Sequence, residues 1–175
     1  MRAARSRGLR GSNLEELINI TNREYLEDGL AVIQKVPTPI TPVEIDNSRG
    51  VITLAYFDDK STVDYIGNVQ GIPVCFDAKE TKGKSLPIAN LHEHQIRFME
   101  EYVSQEGVAF ILVNFSDADE YYAMEIQKLK PLYEASLKGG RKSIPKSVFE
   151  GCIRIERAGK YLIHYLPAIK EILEK

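Results

Sequence analysis

Residues 61–81 read STVDYIGNVQGIPVCFDAKET, and residues 72–79 within them form the clearest strand of the chain. Alternation sends Val74, Phe76 and Ala78 to one face and Cys75, Asp77 and Lys79 to the other. Asp77 and Lys79 therefore stand side by side on a strand whose opposite face is apolar. Upstream, Gly67–Asn68 reads as a turn, and Gly71 gives further freedom just before the strand. An antiparallel return brings Asp64 close to Asp77. Two carboxylates with a lysine suit a hard cation such as Mg²⁺ and the charge that builds on a phosphodiester during hydrolysis. The spacing alone is weak, because an acid two residues before a lysine recurs at Asp58/Lys60 and Glu80/Lys82. Residues alone thus leave two readings open: a metal nuclease site, or a surface strand with an ordinary Asp77–lysine salt bridge, the commoner outcome of such a pattern.

Working outward, Asn13 opens a helix in which Leu14, Leu17, Ile18, Thr21 and Tyr25 share a face, and Gly29 closes it. Residues 30–36 read as a strand. Pro37, Pro39 and Pro42 follow and exclude a helix or a central strand. A turn cluster at 46–50 leads to another strand, 51–57, so residues 36–57 are expected to form a stiff projecting element. Residues 91–105 read as a helix, VAFILVNF after Gly107 as a strand buried on both faces, and 121–124 as its short partner. A helix over 125–136 precedes the basic, Gly-rich loop KGGRKSIPK, and 167–174 form a last amphipathic helix. The expected fold is α/β (α+β): a central mixed sheet flanked by helices, one domain over 13–175. Residues 1–12, with Arg2, Arg5, Arg7 and Arg10, read as a flexible basic arm.

The chain has 175 residues, 43% of them apolar, and 23 basic against 25 acidic side chains, a net charge of −2. That balance argues against a binder held by bulk charge but permits local basic patches. The longest apolar run, 108–113, is six residues, far below the ~20 of a membrane span. The Arg-rich start lacks the apolar stretch of a secretory signal. Two cysteines 77 positions apart fit a reducing cytoplasm better than a disulfide scaffold.

Other candidates read more plainly. His92 and His94 flank Glu93 without the H-E-x-x-H spacing of a zinc helix; the segment reads as a helix start with a histidine placed to touch a phosphate. Tyr121 and Tyr122 could stack on bases, though a strand pair with one ring in the core is the simpler reading. Arg141, Lys142 and Lys146, with Gly139–Gly140 permitting close approach, make a phosphate clamp if a nuclease site lies beside them. Walker, Rossmann and Ser-His-Asp signatures are missing.

Six blocks in order carry a resemblance: RG..LE..IN.TN..Y from Arg10 to Tyr25, PTPI from Pro37, D-Y-x-G from Asp64, FDAKET from Phe76, NLHEHQI from Asn90 and GGRKSIP from Gly139. From about Gly8 onward the chain resembles the RecU-type Holliday junction resolvases of the PD-(D/E)XK nuclease superfamily. The resemblance implies a restriction-endonuclease-like fold with a projecting stalk, and a catalytic set of Asp64, Asp77 and Lys79 with Glu15 aimed at the site. Asp64, Asp77 and Gln95 would hold Mg²⁺, with Mn²⁺ as a substitute. Arg10, Pro37, Pro39, Arg141, Lys142 and Lys146 would touch DNA. It further implies a homodimer acting on four-way junctions in recombination and repair, in the cytoplasm with the nucleoid, and contact with a RecA-type recombinase. Two positions depart from the family pattern. Val63 stands where a hydroxyl residue is expected, and Asp77 where Glu is commoner, one methylene shorter. A different class of protein stays open as the alternative: a junction-binding adaptor on a nuclease fold, with cleavage weak or lost.

Overall fold

In the computed structural model, which describes residues 13–57 and 62–174, α1 (Leu14–Glu27) begins where Asn13 accepts a hydrogen bond from the Glu16 N–H at 2.9 Å. That cap satisfies an orphan amide of the first turn. The basic arm with Arg10, and the Asp58/Lys60 pair, lie outside the described residues. After β1 (Val32–Lys35), the proline-rich segment leads into a ribbon of β2 (Ile40–Asp46) and β3 (Val51–Phe57), which pair only with each other. None of the ribbon's side chains is buried. Pro42 sits within β2, tolerated because a two-strand ribbon has a free edge, and the register slips beside it.

β4 (Tyr65–Val69) and β5 (Ile72–Thr81) are antiparallel, with Tyr65 opposite Phe76. The turn lies at Gln70–Gly71, both with positive φ (50° and 93°), and not at Gly67–Asn68 as the sequence suggested. A two-residue turn of that kind matches the strand twist. Gly67 instead sits inside β4, between β1 and β5, because a Cβ there would stand 2.0 Å from the Val32 carbonyl oxygen. Glycine in a strand interior marks this sort of close approach. Gly67→Ala should therefore force β1 away and cost about 3 kcal/mol, the upper end for overpacking, in urea unfolding.

β6 (Ser85–Pro87) and a 3₁₀ turn (Ile88–Asn90) precede α2 (Glu93–Ser104), which starts two residues later than the periodicity implied because the turn takes up residues 88–90. β7 (Val108–Phe115) is buried at every residue and runs parallel to β5; β8 (Glu120–Glu125) returns antiparallel. Tyr121 and Tyr122 are buried in the core. α3 (Ile126–Leu137) leads into KGGRKSIPK, which is only in part a loop: it contains β9 (Ser143–Pro145), paired with β6, and the start of α4 (Lys146–Phe149). Two strands escaped the sequence reading, β10 (Ile153–Ala158) and β11 (Tyr161–His164), before α5 (Leu166–Leu173).

Among the described residues the main sheet has seven strands in the order β1-β4-β5-β7-β8-β10-β11. Its faces are covered differently. α1 and α5 bury Leu17, Ile18, Tyr25 and Ile169 against Val74, Phe76, Phe110 and Leu112, while α2, α3 and α4 bury Ile96, Met99, Leu129 and Phe149 against Cys75, Ala109 and Ile111. Stacked rings of Tyr65, Phe76 and Phe110, 4.8 and 5.0 Å apart, tie the three central strands on the α1 side. This is the expected α/β class, a mixed sheet between helices. Covering both faces puts the polar face of β5 inside the protein, and the site depends on that.

Candidate active site

The hairpin register sets Asp64 across from Asp77, and the Asp64 carboxylate accepts the Ala78 N–H at 2.8 Å. A backbone donor from the neighbouring strand thus fixes one carboxylate against the other. Asp77 is fully buried. Its Oδ1 accepts from the Gln95 amide nitrogen at 2.7 Å, and Gln95 Oε1 accepts from the Lys79 ammonium at 3.2 Å. The amide orientation is unambiguous, since a carboxylate only accepts and an ammonium only donates. Lys79, with 13% of its side chain exposed, also lies against Asp77 Oδ2 as an ion pair. That approach leaves Oδ2 without a well-aligned hydrogen bond.

Burial pushes the Asp77 carboxyl up to about 7; the Lys79 charge pulls it down and the Asp64 carboxylate pushes it up again. Loss of hydration outweighs the single ammonium, as expected for a charge taken into a core. Two residues before Asp77, burial raises the Cys75 thiol to about 12, which leaves it an inert core side chain.

The structure brings together Asp64, Asp77, Lys79 and Gln95. Glu15 stands at one remove: its carboxylate is ion-paired with Lys35 of β1, the residue opposite Tyr65. The Tyr65 hydroxyl, donating to the Glu15 carbonyl (3.2 Å) and to Asn19 Oδ1 (3.0 Å), pins α1 beside β4. Val63, where a hydroxyl was expected, is fully buried in the core on the α2 side.

The expected DNA contacts divide. Pro37 is exposed and Pro39 half-buried, in the extended link from β1 to the ribbon. Arg141 is exposed on a groove of about 650 Å³ that Lys84, Asp117 and Glu150 also line. Lys142 donates to the Ser136 carbonyl at 2.5 Å and so caps α3, and Lys146 is ion-paired with Glu120 at 2.5 Å. Lys84 is a residue the sequence reading passed over. Its signal was the KGK turn just after the strand that carries Asp77.

Two carboxylates and an ammonium on one strand pair, backed by a helix amide, can hold a hard cation and offset charge gathering on a phosphate. Among the described residues no set of three His, Cys, Asp or Glu side chains gathers as a metal site. The fold and site thus define a mixed α/β protein with an acid–acid–lysine centre. The family model described as "Recombination protein U" matches residues 9–171. A relative from Geobacillus sp. (strain WCH70), named Holliday junction resolvase RecU, is 43% identical over 94% of this chain and 82% of its own length. One of the same name from Oceanobacillus iheyensis is 46% identical over 78% of this chain and 71% of its own length. A solved structure of Hjc, a Holliday junction resolvase from Archaeoglobus fulgidus, aligns with a TM-score of 0.44 at 11% identity, over 78% of this chain and 94% of that one. The chain belongs to the RecU family.

Proposed function

We propose that this protein is a Holliday junction resolvase, a divalent-metal-dependent endonuclease that hydrolyses phosphodiester bonds at four-way DNA junctions during recombination and repair. The observation that carries the site assignment is Asp77: a fully buried carboxylate beside a second carboxylate, with its Oδ2 paired to a single lysine. Two carboxylates against one ammonium leave negative charge that a further cation would offset.

The residues fit Mg²⁺, with Mn²⁺ as a substitute, because Asp64 and Asp77 offer hard oxygen donors from adjacent strands. When bound, such an ion supplies Lewis-acid stabilisation of the negative charge that builds on the phosphate. Lys79 offsets the same charge from the protein side, its ammonium held in place by Gln95 and Asp77. Gln95, reserved in the sequence reading for the metal, spends its oxygen on Lys79 and acts as a positioning residue. Glu15 and Lys35 line the neighbouring rim. Arg141, Lys84 and the basic arm with Arg10 take phosphates of the duplex arms, and the proline-rich ribbon enters the junction. Cutting two symmetry-related strands needs two centres, so the active species is a homodimer. It acts with the nucleoid and alongside a RecA-type recombinase.

Incubating the protein with a mobile four-way junction tests the reading directly. Paired nicks with Mg²⁺ and none with EDTA are expected; junction binding without cleavage in any divalent metal would overturn it. A narrower expectation concerns Gln95→Ala, which removes the donor to a buried carboxylate oxygen and frees Lys79. It should cost about 2 kcal/mol of unfolding free energy. Turnover at saturating junction should fall while affinity holds.

A further inference from the structure

The strand that carries Asp77 and Lys79 keeps the same alternation to Thr81, after which the chain turns through Lys82, Gly83 and Lys84 into β6. At about 3.3 Å per residue, Lys82 lies no more than roughly 10 Å beyond Lys79, about three linkages of a DNA strand at ~3.4 Å of rise each. Three bonds fasten the turn. The Thr81 hydroxyl donates to the Ser85 carbonyl at 3.0 Å across its base, the Lys146 N–H donates to the Lys84 carbonyl at 2.9 Å, and the Gly83 N–H donates to an Asp117 carboxylate oxygen at 2.8 Å. Gly83 holds a φ of +81° that favours glycine. Asp117 reaches it from the loop between β7 and β8. Pairing of β6 with β9 then sets Arg141, just before β9, on the groove that Gly83, Lys84 and Asp117 line. Lys82, Lys84 and Arg141 are exposed. Within the described residues none of the three has an ion-pair partner, whereas Lys79 and Lys146 beside them both do.

Resting on the nuclease reading, we propose that Lys82 and Lys84 grip phosphates of the DNA strand beyond the cleaved linkage, and that Asp117 is the positioning residue that sets this grip through the Gly83 N–H. The centre itself carries two carboxylates against one lysine, so a strand that bears a charge at every linkage needs further cations beside it. The groove also holds Glu150, and Lys146 is neutralised by Glu120. The cations left to a ligand on this wall are therefore Lys84 and Arg141, with Lys82 adjoining through Gly83. A lysine is a point charge on a flexible stem, so its backbone has to be fixed if it is to hold one linkage in preference to its neighbours. Asp117 supplies that fixing. Its own charge opposes a phosphate in the same groove, and the bond to Gly83 is what accounts for a carboxylate in that place. Asp117 touches no reacting atom; it acts through the turn.

The two substitutions at Asp117 separate positioning from bulk charge. Affinity for a four-way junction is titrated in EDTA, where nothing is cut, over a range of salt concentrations. Simple electrostatics has any loss of the Asp117 charge tighten binding to DNA. Asp117→Ala should instead weaken it about tenfold, because the turn loses its fastening. Asp117→Asn keeps an acceptor for the Gly83 N–H and drops the charge, so affinity should hold at the parent value or rise. Lys82→Gln with Lys84→Gln should weaken binding at least about tenfold and lower the salt slope by about two, one for each phosphate released. In that background Asp117→Ala should add nothing, the non-additivity expected of partners. Tighter binding by Asp117→Ala, an equal loss in Asp117→Asn, or additive losses with the lysine pair would each overturn the proposal. Should Asp117→Ala lower the melting temperature of the whole domain, the lysine variant decides alone, since both positions are exposed: an unchanged affinity and salt slope would overturn the grip. Failure of the unaltered protein to cut the junction in Mg²⁺ would strike the nuclease reading instead, because the affinity series does not use cleavage.

Discussion

Asp77→Asn should lower junction cleavage by about 10²–10³-fold while leaving junction affinity nearly unchanged. The carboxamide keeps the shape and the Gln95 contact region but removes the charge on which the cation and Lys79 both depend, and loss of one electrostatic element at such a centre costs about 10²–10³. Stability should move the other way. Because burial lifts the folded-state carboxyl to about 7 from an ordinary 3.8, the folded protein holds a proton that the unfolded chain has already released between those values. Stability without metal is therefore full below the unfolded value and is lost as pH rises through about 7. Melting curves in EDTA should show that decline in the parent and a flatter profile in Asp77→Asn. A variant that loses binding and melting temperature together would mean that Asp77 serves the fold alone. Cleavage surviving at the parent rate would remove it from the chemistry.

How much of this was legible beforehand follows from where each signal resides. The Asp64–Asp77 pairing could be read because hairpin register is a local property: Gln70–Gly71 turns the chain, and period-two alternation then settles which residues meet. The position of the turn was misread because Gly67 serves a contact with Val32, 35 positions earlier on the neighbouring strand. A glycine required by a neighbouring backbone looks in sequence like one required by a turn. Burial of Asp77 was also beyond sequence. Cys75, Asp77 and Lys79 look like a solvent face, and only packing of α2, α3 and α4 over that side encloses them. The basic loop was legible only as charge. Lys142 and Lys146 are cationic in any list, but their partners, the Ser136 carbonyl and Glu120, are fixed by the fold. β10 and β11 are short and charged, stabilised by pairing with β8 and by contact with α1. One such contact is the hydrogen bond from the Ile163 N–H to the Thr21 hydroxyl at 3.1 Å. Their own pattern is too slight to announce them.

Replacing residues 40–57 by a short Gly-Ser turn should leave the folded domain intact and strip away junction selectivity. The ribbon pairs only with itself, and none of its side chains is buried, so removing it deletes little packing from either face of the sheet. The melting temperature should shift by no more than a few degrees, as for surface changes worth under about 1 kcal/mol. Yet among the described residues the ribbon carries eight of the fourteen large exposed apolar side chains, with Leu54 at 44%, Tyr56 at 66% and Phe57 at 80% exposure. A monomeric domain rarely displays such a surface without a use for it. Pro37 and Pro39 stiffen its base, so it gives up little conformational entropy on inserting into an opening. A duplex offers only phosphates along a rod, whereas a four-way junction exposes unstacked bases at its centre, where rings such as Tyr56 can stack. Affinity for the junction should therefore fall at least about tenfold, 1.4 kcal/mol, while affinity for linear duplex, carried by phosphate contacts, keeps its value and its salt dependence. Gel-shift titrations on both DNAs at one salt concentration, beside a thermal melt, read the two effects separately. An unchanged junction-to-duplex ratio would show that selectivity arises elsewhere, and a steep fall in melting temperature would show that the ribbon holds the fold.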